Sequence, residues 1–261
     1  MAEYETLQYR ETGAVAWVTL NRPERLNSFN TAMADEIHSV WQGLRYNTDI
    51  RCIVLTGAGD KAFCTGIDRG EEVPQPPSPF MIDDPGTRLG PKSAGLWKPV
   101  IAAVNGMACG GAFYFLGEVE FIIAADHATF FDPHVTFGMT AAFEPILMRH
   151  YMPFAEIMRL TLMGNHERMG ADRAFQIGLV SEIVPSASLL ERAGAVAAAI
   201  ASQPAVAVEG TVRALWSAME LSRTQALQMA DNIIALGNQP DALAEGLETF
   251  RSGQRIEWTL R

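Results

Sequence analysis

The sequence predicts an α/β fold, and three patterns lead to this prediction. Apolar runs at Val15–Leu20 and Cys52–Leu55 have the length of buried strands, and Thr31–Tyr46 between them has the apolar spacing of an amphipathic helix. Another apolar run, Val100–Val104, ends in an Asn-Gly turn and is followed by a second helical segment. About the last seventy residues are alanine-rich and helical in pattern. Strands that alternate with helices favour the α/β class.

Length and composition narrow the class of protein. A chain of 261 residues with 48% hydrophobic and 19% charged residues is long enough for one large domain, or one domain with a small appendage. The net charge of −10 argues against nucleic acid or an anionic membrane as a general partner. The sequence has no secretory leader pattern and no run long enough to span a membrane. Its three cysteines have no metal-ligand spacing, so we expect a reduced, cytoplasmic enzyme without a metal.

The first third of the chain follows from local patterns. The first strand ends at Asn21–Pro23, because proline cannot continue a strand ladder. Thr31–Tyr46 then places its large apolar side chains on one helix face. These side chains are Met33, Ile37, Val40, Trp41 and Leu44. The segment Thr56–Asp68 is a turn and a small-residue loop with Gly66 near its end, and it can offer the backbone amide of Ile67 to a ligand.

The stretch Pro99–Tyr114 is the most informative part of the sequence. Its strand and Asn-Gly turn lead to a glycine pair, Gly110 and Gly111, which opens a helix predicted over Gly110–Leu116. Unpaired amides at a helix start favour negative charge, and glycine lets a ligand approach the backbone closely. The sequence lacks the phosphate-loop, dinucleotide and nucleophile-elbow motifs here. Two interpretations remain open: an oxyanion hole for a carbonyl oxygen, or a glycine pair that only lets the helix pack closely on a sheet.

Loops on either side of this stretch complete the candidate site. Five prolines lie between Pro74 and Pro85, so Glu71–Pro91 is predicted to be an irregular flap over the site. After the apolar run Phe121–Ala125, the Asp132-Pro133 turn is expected to place Asp132 beside His134.

The remaining segments are mainly helical in pattern. Two sequences of capping-box type, Ser188-x-x-Glu191 and Ser222-x-x-Gln225, are expected to open long helices. The other predicted elements are helices at Phe154–Met163, Ala171–Gln176 and Asp241–Phe250 and a short strand at Leu179–Val184.

Four segments, in order along the chain, resemble the crotonase family, the enoyl-CoA hydratases and isomerases. They are NRPERLNSFN (Asn21–Asn30), IVLTGAGDKAFCTGID (Ile53–Asp68), KPVIAAVNGMACGGAF (Lys98–Phe113) and GLVSEIVP (Gly178–Pro185). The resemblance implies a crotonase-like spiral of ββα turns over residues 1–188, with the CoA site and the active site. It implies an α-helical oligomerisation region over residues 189–261, which builds a homotrimer or a dimer of trimers. It also implies an acyl-CoA thioester substrate, a role in fatty acid metabolism, and no cofactor beyond the coenzyme A of the substrate.

The resemblance also assigns residues to the site. The amides of Ile67 and Gly111 would hold the thioester oxygen, and losing one such donor costs about 3 kcal/mol of barrier. The tail of a neighbouring chain would close over the CoA. The residues implied in CoA binding are Glu24, Arg25, Leu26, Ala62, Ile67, Asp68, Arg255 and Trp258.

Two departures from the family pattern bear on the chemistry. Hydratases of the family hold a water between two glutamates, and these positions are Tyr114 and His134 here. A tyrosine with a pKa near 10 is a poor base, so the two-glutamate mechanism is not expected. We hypothesise that His134, with Asp132, moves the proton α to the thioester carbonyl, that Tyr114 assists, and that Glu144 supplies a carboxylate from a new position.

Three classes of function remain open at this stage. The first is a lyase or isomerase that acts on an acyl-CoA through an enolate. The second is a hydrolase that cleaves a C–C or thioester bond with Asp132 and His134. The third is a non-catalytic acyl-CoA binder or an RNA-binding relative, although Thr31–Tyr46 carries one arginine and no lysine, which is unfavourable for RNA.

Overall fold

A computed structural model describes residues 4–71, 75–78, 80–81, 83–253, 258 and 260. Within these residues, the strands alternate between two sheets. Their bounds are β1 Leu7–Thr12, β2 Val15–Leu20, β3 Cys52–Gly57, β4 Ala62–Cys64, β5 Val100–Val104, β6 Met107–Cys109, β7 Phe121–Ala125, β8 Thr129–Phe131, β9 Met169–Gly170 and β10 Glu182–Val184.

The helices of the described residues range from 5 to 16 residues in length. Their bounds are α1 Thr31–Tyr46, α2 Ala112–Leu116, α3 Phe143–Leu147, α4 Phe154–Met163, α5 Ala171–Gln176, α6 Leu189–Ala201, α7 Ala205–Glu220, α8 Arg223–Gly237 and α9 Pro240–Arg251. None of them has by itself the length and apolar composition of a membrane span. The two criteria are met only when Ser186–Ala201 and Ala205–Glu220 are taken together, and the chain bends by 105° between these segments.

Successive strand pairs build a spiral. The larger sheet has the order β1-β2-β3-β5-β7-β10, and only its β1–β2 pair is antiparallel. The smaller sheet has the order β4-β6-β8-β9, in which β4, β6 and β8 are parallel. Each of the pairs β3/β4, β5/β6 and β7/β8 therefore contributes one strand to each sheet before the chain turns into the next pair. The α/β class and the repeating turns predicted from the sequence are confirmed.

Helices cover both faces of the larger sheet. Trp41 of α1 is fully buried in the main core. On the other face, α6 packs its alanines against a second apolar cluster that includes Trp17, Val54 and Ile101. The predicted boundary at residue 188 therefore precedes a helix that packs on the sheet, and the division into two domains stays a prediction.

Most element bounds agree with the sequence prediction, and the corrections have local causes. The helix predicted from Gly110 begins at Ala112, because Gly110 adopts a left-handed φ of +53°. The strand predicted over Leu179–Val184 begins only at Glu182, because Val180 N donates back to Ala174 O. The capping box at Ser222 is confirmed. The one at Ser188 is wrong: this residue ends a 3₁₀ turn and makes no side-chain cap.

Replacing Trp41 with phenylalanine is expected to lower the free energy of unfolding by about 1–3 kcal/mol. The indole Nε1 donates to Leu89 O over 2.9 Å, and both residues are fully buried. The variant keeps the aromatic ring but leaves a buried carbonyl unsatisfied. Urea unfolding followed by circular dichroism measures the change, and an unchanged midpoint would contradict it.

Candidate active site

Three parallel strands bring the predicted site residues to one edge of the smaller sheet. β4 leads to Ile67, β6 leads to Gly110 and Gly111, and β8 leads to Asp132 and His134. The carboxyl ends of adjacent parallel strands lie side by side, and ligands commonly bind in the loops that follow them. Sequence segments far apart in the chain therefore meet at this edge.

The loops after β4 and β6 touch through their glycines. Gly66 has a φ of +83°, and a Cβ added there would lie 2.9 Å from Gly111 N. A Cβ on Gly111 would lie 2.5 Å from Phe29 Cε1. Gly66 thus requires glycine for its backbone conformation and for space, and Gly111 requires it for space. The close neighbour of Gly111 is the Phe29 side chain, which belongs to neither sheet, so both interpretations of the glycine pair stay open.

The predicted oxyanion-hole amides flank this contact. Ile67 pairs with Phe29 in an isolated parallel bridge, which uses Phe29 N to Gly66 O at 2.8 Å and Asp68 N to Phe29 O at 2.7 Å. This pairing leaves the Ile67 amide unused. Across the described part of the chain, neither this amide nor that of Gly111 donates to another protein group. The oxyanion hole stays a prediction, and both amides have the hydrogen-bonding capacity that it needs.

Asp132 holds His134 in place. The two residues lie side by side, as the sequence predicted. Its Nδ1 lies 2.5 Å from Asp132 Oδ1, and its backbone amide donates to the same oxygen over 3.1 Å. Asp132 is 1% exposed. The hydrogen bond to Asp132 raises the pKa of His134 above its usual value. The imidazole Cε1 lies 3.7 Å from the position of a Cβ on Gly110, so the ring faces the glycine pair.

Glu144 lies on the other side of the imidazole. Its Oε1 is 3.5 Å from His134 Nε2, and the carboxyl group is buried. Burial raises the pKa of Glu144 above its usual value. The imidazole thus has a carboxyl group at each nitrogen, Asp132 at Nδ1 and Glu144 at Nε2. Glu144 is thus placed to pair with the imidazole when His134 is protonated.

Tyr114 is held by a residue that the sequence analysis missed. Its hydroxyl donates to the carboxylate of Asp84, and a Cβ on Gly86 would lie 2.4 Å from its ring. Burial and this hydrogen bond raise the pKa of Tyr114 above its usual value, which excludes it as a base near neutral pH. Asp84 belongs to the proline-rich insertion predicted to be a flap, and no local motif distinguished it from Asp83. The described part of that insertion does contact the site.

The residues implied in CoA binding lie around the loop that follows β3. Leu26 and Ala62 line a cavity of about 190 Å³ together with Lys61, and the exposed Glu24 and Arg25 lie in the adjoining turn. The CoA-binding role of these residues stays a prediction. Asp68 is paired with Arg22 over 2.8 Å, and Trp258 is 82% exposed in this chain. Arg255 lies outside the described residues.

Asp132→Asn is expected to move the basic limb of the pH–activity profile to lower pH. Asp132 stabilises the imidazolium, so its removal lowers the pKa of His134, and the protonated form is lost earlier as pH rises. Glu144 and Arg69 also act on this imidazole, and both remain in the variant. The measurement is kcat/KM between pH 5 and 9 with an acyl-CoA substrate. A profile of unchanged shape would exclude the role of Asp132.

Comparison with known proteins identifies relatives of this chain. The family model described as Enoyl-CoA hydratase/isomerase matches residues 10–261. The chain is 35% identical to an (E)-benzylidenesuccinyl-CoA hydratase of Thauera aromatica, over 77% of this chain and 78% of that protein. It is 31% identical to a short-chain-enoyl-CoA hydratase of Clostridium acetobutylicum, over 98% of each.

A solved structure gives the same result for the fold. An enoyl-CoA hydratase/isomerase from Mycobacterium paratuberculosis superposes with a TM-score of 0.89 and 32% identity, and the match covers 99% of this chain and 100% of that one. The crotonase-like fold implied by the sequence motifs is confirmed. The chain belongs to the enoyl-CoA hydratase/isomerase family.

Proposed function

We propose that this protein is an acyl-CoA lyase that adds water to, or removes it from, the α,β position of a thioester. The observation that carries the proposal is the row Asp132–His134–Glu144 beside the Gly110–Gly111 pair. Two of the relatives are named as hydratases of CoA thioesters, which supports the same class. In this proposal, His134 and Glu144 replace the two glutamates of ordinary hydratases.

Hydration would start with an imidazolium at His134 and a carboxylate at Glu144. Glu144 takes a proton from water while the water oxygen bonds to Cβ. The electrons of the C=C bond move into an enolate, whose oxygen accepts hydrogen bonds from the amides of Ile67 and Gly111. His134 Nε2 then donates its proton to Cα. Glu144 returns a proton to Nε2 across the 3.5 Å gap, which restores the starting state.

The remaining polar groups have supporting roles in this scheme. Asp132 is a positioning residue, since it holds Nδ1 and leaves Nε2 for the substrate. Tyr114 remains a neutral phenol bound to Asp84, so it acts by shape and hydrogen bonding rather than as a base. The CoA moiety would lie along Leu26 and Ala62. Assembly as a homotrimer or a dimer of trimers, in the cytoplasm, is part of the same proposal.

A thioester or C–C hydrolase is the second candidate, and one observation favours it. Asp132 Oδ2 is buried and has no hydrogen-bond partner among the described residues. In a hydrolase this oxygen would attack the carbonyl or activate water. Against it, Asp132 Oδ1 already accepts from both nitrogen donors of His134.

One assay distinguishes the candidates. The purified protein is incubated in D₂O with crotonyl-CoA and cinnamoyl-CoA, and enoyl absorbance, free thiol and product mass are followed together. The lyase predicts loss of absorbance, one deuterium at Cα and no thiol release. Thiol release without change at the double bond would support the hydrolase. Tight binding of both thioesters without either reaction would overturn the proposed function.

A further inference from the structure

Arg69 is exposed and lies two residues after Ile67, whose amide belongs to the candidate site. Its guanidinium carbon lies 3.8 Å from the ring centre of Phe137, and its Nη2 lies 3.6 Å from Met139 Sδ. Phe137 ends the 3₁₀ turn that begins at His134. The arginine therefore spans from the loop after β4 to the turn that carries the imidazole.

The carboxylates nearest to Arg69 in sequence are engaged elsewhere. Asp68 accepts from Arg22 with Oδ2 and from Gly70 N with Oδ1. Glu71 accepts from Asn30 Nδ2 and from Thr31 N, at the start of α1. Within the described ranges, Arg69 has no carboxylate within salt-bridge distance. Its recorded neighbours are an aromatic ring and a thioether.

The charge of Arg69 also acts on the imidazole of His134. The hydrogen bond to Asp132 raises the pKa of the imidazole, and the positive charge of Arg69 is a smaller influence that lowers it. The proposed reaction needs a protonated His134, so the positive charge of Arg69 has a cost for the reaction. This cost suits a site in which a substrate anion neutralises the cation on binding.

We propose that Arg69 binds a second carboxylate on the acyl group, so that the substrate class is a dicarboxylic acyl-CoA. An acyl chain whose thioester oxygen lies at Ile67 would extend past His134 toward the guanidinium. Arginine suits this task, because its planar fork matches a carboxylate while its face stays stacked on Phe137. In a chain of net charge −10, a remote carboxylate needs such a local cation. The inference rests on the proposed function for the position of the thioester.

The test uses two unreactive ligands of equal chain length, glutaryl-CoA and pentanoyl-CoA, which differ in a terminal carboxylate or methyl group. Calorimetry with the full chain is expected to give at least tenfold tighter binding of glutaryl-CoA. In Arg69→Met that preference should disappear, and Arg69→Lys should keep part of it. The preference of the unaltered protein should also weaken as salt increases.

Two controls separate charge recognition from a structural role. Arg10→Met removes another exposed arginine that stacks on a ring, Trp17 at 4.1 Å, and should leave the preference intact. Phe137→Leu removes the stack but keeps the cation, so it should reduce the preference for glutaryl-CoA only in part and leave the binding of pentanoyl-CoA unchanged. If Arg69→Met weakens the two ligands equally, or if the unaltered protein does not prefer glutaryl-CoA, the inference is wrong. Absence of turnover with a retained preference would instead count against the proposed lyase reaction alone.

Discussion

His134→Ala is expected to reduce kcat for hydration by about 10²- to 10⁴-fold, the range typical of a lost general acid–base group. The imidazole is the only group in the scheme that donates to Cα, and its alanine variant leaves Asp132 and Glu144 without a shared partner. KM should change little, because the proposed CoA contacts lie around Leu26 and Ala62. Steady-state kinetics with the thioester identified in the assay above measures both constants.

The matched control is His127→Ala. This histidine is exposed, and its Nε2 lies 3.1 Å from Asp60 O, at the edge of the cavity proposed for CoA and not among the proposed proton-transfer groups, so kcat should stay unchanged. Thermal unfolding of both variants checks that they fold. Full activity of a folded His134→Ala variant would exclude this residue as the proton donor.

Gly66→Ala is expected to reduce kcat by about 10²- to 10³-fold, the loss seen when one oxyanion-hole donor is removed. The added Cβ would lie 2.9 Å from Gly111 N, in the space where a ligand oxygen would meet that amide. The left-handed φ of +83° adds a stability cost of about 1–2 kcal/mol. The measurement is kcat under conditions in which the variant is fully folded.

Gly13→Ala separates the two effects of that substitution. Gly13 has a φ of +56° in the β1–β2 turn, and nothing lies within 4 Å of its added Cβ. This variant should show a similar loss of stability and unchanged kcat. Equal kcat losses in both variants would mean that backbone strain, rather than the blocked amide, explains the result.

Local sequence patterns were sufficient to predict the helices and strands that bury a continuous apolar surface. The bounds of α1 follow from its apolar face and from Asn30, whose side chain caps the helix by accepting from Met33 N. The same holds for β2 and β7, which are runs of apolar residues between clear turns. In each case the burial that stabilises the element is visible in neighbouring residues.

The smaller sheet could not be predicted in this way. β4, β6 and β8 have three residues each, too few for a period to be recognised. Their stability comes from pairing with one another across long sequence separations. The convergence of three loops at the site was therefore available only from the family resemblance.

The contacts of the candidate site also fall into two groups, those that local sequence predicts and those that depend on distant parts of the chain. Contact between Asp132 and His134 was predicted, because only Pro133 separates them at a turn. Asp84 was missed, since its contact with Tyr114 crosses thirty residues and depends on how the insertion folds back. The raised pKa of Glu144 has a similar origin, because its burial depends on the packing of α3 against α2.

A crystal structure with bound pentanoyl-CoA tests the central assignment most directly. We expect the thioester oxygen to lie within about 2.7–3.1 Å of both Ile67 N and Gly111 N, with Cα facing His134 Nε2. If the oxygen is bound by other groups, or if Cα lies on the far side of the pocket from the imidazole, the proposed chemistry is contradicted.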